Sequence, residues 1–156
     1  MTVSVVGRSA AVRGAAFRLC LPALLALVVP VFSFAASPVT VTQPWFRYLL
    51  AEVPAGGYMT LHNASDQPAV LTAAASPACG MLMLHETESS GGMEAMKEVP
   101  SVTVPANGSF RFSPDGYHLM CMQPKMKPGD TVPVTLTFAD GARMTVPFPV
   151  KNAKGQ

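Results

Sequence analysis

The stretch TVPVTLTFADGARMTVPFPV, residues 131–150, decides the fold class. It holds two runs of Val, Thr and Phe joined through Asp140-Gly141. β-branched and aromatic residues suit a pleated, half-buried surface, and Asp-Gly supplies the turn, so the stretch predicts a β-hairpin. Working back from it, the same grammar recurs. YHLMCMQ (117–123) follows the turn SPDG, and SVTVPANGSFRF (101–112) predicts a hairpin around Asn107-Gly108. MLMLHE (81–86) has helical propensity, but the run is short and lies between Cys79-Gly80 and ESSGG, which favours a strand. AVLTAAA and GYMTLHN add two more strands, EAMKEV is a short one stopped by Pro100, and PVTVTQPWFRYLL predicts a strand, a break at Pro44, and a second strand. No long helical period follows residue 36. Short strands between Gly, Pro, Asn and Asp turns predict an all-β sandwich or barrel.

The 156 residues suggest one folded domain behind a leader. Residues 1–18 carry Arg8, Arg13 and Arg18 and no acid, and the apolar run LCLPALLALVVPVFSFAA follows. This is the layout of a secretory signal peptide over residues 1–35, cleaved after Ala35 or Ala36. Pro22, Pro30 and the brevity of the run argue against a retained membrane span, and no cysteine at the cleavage region indicates a lipid anchor. Cys20 would leave with the leader. The mature domain is then 36–150, with a polar tail at 151–156. Taking the three leader arginines from the 11 basic residues leaves 8 against 9 acidic ones. So balanced a surface gives no basis for nucleic-acid binding or an anionic membrane surface.

The candidate chemistry lies between His85 and Met120. His85 is followed after ten residues by Met96, after twenty-one more by His118, and after one more by Met120. Imidazole and thioether donors serve magnesium and calcium poorly and suit Cu(I). On a strand, His118 and Met120 project to one face while Leu119 and Cys121 project to the other. Singly, each of these residues would more often be packing or ordinary surface; their joint spacing carries the hypothesis.

That spacing, H-x10-M-x21-H-x-M, resembles the PCuAC family of periplasmic copper chaperones. Pro44-Trp45-Phe46-Arg47, Gly56-Gly57-Tyr58 leading to Asn63, Leu84-His85-Glu86-Thr87 and Gly129-Asp130 onward are similar too. The resemblance implies a cupredoxin-like β-sandwich or Greek-key barrel. It implies Cu(I) held by His85, Met96, His118 and Met120 and passed to periplasmic acceptors, notably the CuA centre of cytochrome c oxidase or another copper carrier. It implies a periplasmic location and no enzymatic activity. Met93 is an alternative to Met96. Met81, Met83 and Met122 share strand parity with the site, with packing as the default; Met59, Met126 and Met144 read as core or surface.

Cys79 and Cys121 rank first as free thiols, Cys121 buried, then as a disulfide, then as ligands. His62 ends a strand beside a turn and reads as exposed, a minor recruit for Cu(II), and Trp45 reads as a packing anchor. Asn63-Ala64-Ser65 matches a glycosylation sequon that nothing else calls for. An electron-transfer cupredoxin needs a thiolate with a histidine shortly after it, and no histidine follows Cys121. A structural β-domain without metal is the remaining alternative. No G-x-S-x-G or second zinc-protease histidine points to an enzyme.

Overall fold

The computed structural model describes residues 38–155 except 91–92. The leader, its cleavage site and Cys20 lie outside the described residues. Ten strands follow in order: β1 (Val39–Arg47), β2 (Ala55–Asn63), β3 (Ala69–Ala75), β4 (Met81–Ser90), β5 (Met93–Glu98), β6 (Val102–Val104), β7 (Gly108–Phe112), β8 (Tyr117–Met122), β9 (Thr131–Phe138) and β10 (Arg143–Lys151). No helix occurs among the described residues. The all-β expectation holds. The polar tail starts one residue later than expected, since Lys151 still belongs to β10.

The strands join edge to edge in the order β5-β4-β8-β2-β1-β10-β9-β3-β6, and β7 continues beside β2 where β8 leaves off. β1 and β10 meet in parallel at Phe46↔Val150 and Arg47↔Lys151. The sheet curls at this join, so its two halves face one another across the core. Phe46, Leu61, Phe112 and Leu119 come from one half; Leu71, Val104, Val134, Leu136 and Phe148 come from the other, and all are fully buried. The Phe46 and Phe148 rings touch across the join, 5.2 Å between centroids. Fully burying each such side chain contributes about 1.5–3 kcal/mol before entropy is subtracted. The hairpin at 131–150 forms as read, with Val132, Val134, Leu136 and Phe138 inward on β9 and Val146, Phe148 and Val150 inward on β10. Gly141 takes the left-handed φ of 86° that closes its turn.

Two details of the strand reading need correction. The break at Pro44 is a bulge inside one strand: β1 runs on, with a register shift between Thr42 and Trp45 and Gln43 at φ 52°. The extra residue changes strand parity, so Val39, Val41 and Phe46 all reach the core face. Residues 101–112 do not close on themselves either. The Asn107 turn forms (φ 49°), but β6 pairs with β3 and β7 with β2, so the chain crosses between the two halves here.

Asn63 makes that crossing possible. Its side-chain amide donates to the carbonyls of Gln67 (2.7 Å), Pro105 (3.2 Å) and Val104 (3.5 Å), and its Oδ1 accepts from the Ser65 amide and hydroxyl. The residue is 2% exposed, so the sequon asparagine is a buried structural peg. His62, expected to be exposed, is half-buried and hydrogen-bonded through both ring nitrogens, to Thr42 Oγ1 (2.8 Å) and Ser109 Oγ (2.7 Å).

The expectation of a free buried thiol is also overturned. Cys79 and Cys121 form a disulfide, with Cα atoms 5.3 Å apart. The reason lies in the backbone. Gly80 N donates to Met122 O (2.9 Å) and Lys125 N to Ala78 O (2.7 Å), which lays the segment before β4 along the end of β8. Cys121 points into the core, as its parity requires.

Asn63→Ala removes a donor shared by three carbonyls at the crossing and should lower the unfolding free energy by about 1–3 kcal/mol in urea denaturation. Unchanged stability would mean that water replaces the amide. The bridge closes a 42-residue separation. Chain-entropy arguments give it about 4 kcal/mol, so the Cys79→Ala/Cys121→Ala protein should unfold at a clearly lower denaturant midpoint than the oxidised wild type.

Candidate metal centre

β4 and β8 are antiparallel neighbours with an uninterrupted register: Met81↔Met122, Leu82↔Cys121, Met83↔Met120, Leu84↔Leu119, His85↔His118 and Glu86↔Tyr117. Opposed residues share a face. Leu82, Leu84, Leu119 and Cys121 therefore turn to the core, and all are buried. His85, His118 and Met120 turn to the outer face, where the two imidazoles lie 5.9 Å apart between centroids. β5 pairs with the far side of β4, setting Met96 opposite Thr87 and Glu98 opposite His85. Met96 thus shares that outer face. The four residues singled out from the sequence are brought to one side of three adjacent strands.

Met96, His118 and Met120 line a single cleft of about 60 Å³, together with Arg47, Pro54, Ala55, Gly56, Tyr58 and Pro114. His85 abuts it through the His118 ring. The side chain of Met93, the alternative donor, lies outside what the structure describes.

The far wall of the cleft depends on β2, which pairs with β8 at Gly56↔Met120. A Cβ on Gly56 would stand 2.5 Å from the Tyr58 hydroxyl oxygen, so the bare backbone lets the phenol fold over it. Trp45 packs on Tyr58 at 4.9 Å, and the Arg47 guanidinium lies 5.7 Å from the same ring. Trp45 is the packing anchor expected of it. Burial pushes the Tyr58 hydroxyl pKa up, against the pull of Arg47, so this wall presents a neutral phenol. Sequence reasoning gave Arg47 and Tyr58 no place in the site. Gly56 and Tyr58 share strand parity, but only the β2–β8 pairing brings them to Met120.

Both histidines could serve a metal. The Gly116 carbonyl accepts from Thr87 N (3.1 Å) and stands 2.9 Å from His118 Nδ1. A carbonyl only accepts, so His118 carries a proton on Nδ1, and Nε2 is the ring atom left to meet a metal. His85 Nδ1 is buried without a hydrogen-bond partner among the described residues, as is the neighbouring Thr87 Oγ1. Burial, and then the His118 ring, pull the His85 pKa below its ordinary 6.5, against Glu98, which raises it. The imidazole is therefore neutral at pH 7, the form in which it can bind a metal. Among the described residues no group of three His, Cys, Asp or Glu side chains could hold a metal ion. Any ion here would draw on the thioethers, which selects a soft one.

Comparison with known proteins places this geometry. The LpqE-like family of lipoproteins matches over residues 39–150. The lipoprotein Lxx21020 of Leifsonia xyli subsp. xyli is 34% identical over 128 residues, 77% of this chain and 74% of its own. The solution structure of apo-DR1885 from Deinococcus radiodurans is 36% identical, covering 92% of this chain and 100% of its own at a TM-score of 0.58. Its Cu(I) form is 39% identical, covering 74% and 77%, at 0.55. The copper-bound PCuAC domain from PmoF2, at 22% identity, superposes with a TM-score of 0.63 over 76% of this chain and 97% of its own, a likeness of cupredoxin-like fold alone. The chain belongs to the LpqE-like family, which is the family of the PCuAC domains.

Proposed function

We propose that this protein is an exported copper carrier that holds one Cu(I) through His85, Met96, His118 and Met120 and yields it to another copper protein. The observation that carries this reading is the pairing of β4 with β8 and of β5 with β4, which turns two imidazoles and the thioethers of Met96 and Met120 to one face beside a small cleft. The orphaned His85 nitrogen and the fixed tautomer of His118 fit a bound cation. So does the Cu(I) form of DR1885, related at 39% identity. Export is supported by the basic and apolar layout of residues 1–35 and by the lipoprotein names of the relatives. The periplasm is the compartment we infer.

Neutral donors suit a carrier. Thioethers need no deprotonation and bind Cu(I) without adding charge, so an acceptor with thiolates can take the ion by stepwise ligand exchange. The dinuclear CuA centre of cytochrome c oxidase is the acceptor we propose. The reading as an electron-transfer protein loses its thiolate, because Cys121 is tied to Cys79 and faces the core. Carriage is the role we propose for this set of donors.

Competition with a chromophoric Cu(I) chelator should give one tight equivalent in the wild type. His118→Ala and Met120→Ala should each weaken it by about tenfold or more. Equal affinity in both variants would sink the assignment. The histidines add a pH dependence to the copper-free protein. His85 titrates lower in the folded state than the 6.5 of the unfolded chain. Its contribution to stability is therefore full above that value and is lost as pH falls through the folded pKa. Urea unfolding at pH 7.5 and pH 5 should show the wild type losing more stability on acidification than His85→Asn; equal losses would mean that His85 is not desolvated.

A further inference from the structure

The outer face of β4 and β8 does not end at Met120. Beyond His85↔His118 come Met83↔Met120 and then Met81↔Met122, three successive cross-strand pairs on one face, all imidazole or thioether. Met81 and Met122 flank a second depression of about 420 Å³, lined by Gly80, Met81, Met83, Met122 and Gln123 and separate from the cleft at Met96. From these pairs we propose a second, weaker soft-cation site, built from the thioethers of Met81, Met83 and Met122, that takes Cu(I).

Packing does not account for these methionines. Those that fill the core, Met59 and Met126, are 2% and 7% exposed, whereas Met81 is 57% exposed and Met83 and Met122 are half-buried. The same two strands meet the core with Leu82, Leu84 and Leu119, so the chain sorts leucine inward and methionine outward, residue by residue. On β10, by contrast, the exposed outward positions are Arg143, Thr145, Pro147 and Pro149. An exposed thioether row has no such explanation as surface chemistry.

The geometry also suits ligation. Directly opposed residues in an antiparallel pair stand about 4.5–5.5 Å apart at Cα, and same-face neighbours along a strand about 7 Å. Methionine has three rotatable side-chain torsions, so the sulfurs of Met81, Met83 and Met122 can converge over the depression between them. Three neutral sulfur donors and no carboxylate select a soft monovalent cation over calcium, magnesium or Zn(II). The ion expected here follows from the proposed function, but none of its four ligands is used, so the two sites stand or fall separately.

The test is an anaerobic titration of the full chain with Cu(I), and in parallel with Ag(I) as a redox-inert probe, read from the methionine methyl resonances. The first equivalent should shift Met96 and Met120. A second, bound about tenfold or more weaker, should shift Met81, Met83 and Met122. The triple variant Met81→Leu/Met83→Leu/Met122→Leu keeps the volume and apolarity of the row. It should bind one equivalent with the tight affinity intact. In His118→Ala the Met81, Met83 and Met122 shifts should persist. The proposal is overturned if those three methyls stay unmoved at excess metal, or if the triple leucine variant still binds two ions. Loss of only the first, Met96–Met120 phase in the wild type would count against the carrier assignment and leave this one standing.

Discussion

The alignment of β4 on β8 is the constraint on which the site rests. A one-residue slip would send His85 and Met83 into the core and push Leu82 and Leu84 into solvent. Burial of Leu82, Leu84 and Leu119 makes that slip costly, because each leucine would lose about 1.5–3 kcal/mol of burial. The two ends of the pair are fastened as well. The Cys79–Cys121 bridge ties the start of β4 to the end of β8, and the Gly116 carbonyl accepts Thr87 N at the opposite end. The same carbonyl orients His118, so register and tautomer are set by one acceptor. The core that stabilises the fold thereby positions the donors on its reverse side.

The remaining elements close the cleft, and the charges they bring are Arg47 on its wall and Glu98 beside His85. The β1 bulge returns Phe46 to the core and leaves Trp45 and Arg47 outside, on the strand beside Tyr58. Glycine at 56 lets Tyr58 lie flat against the sheet next to Met120. Glu98 faces His85 from β5 and works against burial and His118, both of which depress its pKa. Burial and His118 prevail, which keeps the imidazole a neutral donor.

Much of this was legible in the chain. Strand class followed from β-branched runs and turn residues, and the hairpin at 131–150 formed with the Asp140-Gly141 turn as read. Parity alone put His118 and Met120 on one face and Cys121 on the other. What strand patterns do not encode is the identity of the partner strand. Residues 101–112 carry a good local turn, yet their arms join different halves of the sheet, because Asn63 holds the carbonyls of Val104 and Pro105 from a distance in sequence. The disulfide ranked only second for the same reason: two cysteines 42 residues apart meet only once the segment before β4 docks on the end of β8. Tyr58 and Arg47 likewise enter the site through the pairing of β2 with β8. His62 looked like a turn residue because its partners, Thr42 and Ser109, come from two other strands.

The donors are also graded in exposure, and the gradient bears on release. His118 is 5% exposed and fixed by a backbone acceptor, while Met96 is 60% exposed on the sheet's edge strand. On the proposed assignment, an approaching acceptor meets Met96 first. A lone thioether on an edge strand is the donor most cheaply displaced, since neither core packing nor a hydrogen bond holds it in place. With Met96 displaced, the two imidazoles and Met120 would still hold the ion, and an incoming thiolate would bind it more strongly than the thioether it replaced. His85 and the buried His118, on the inner strands, would then be the last donors to let go. On that assignment affinity would come from the inner strands and exchange would occur at the sheet's edge, which is the division of labour a carrier needs.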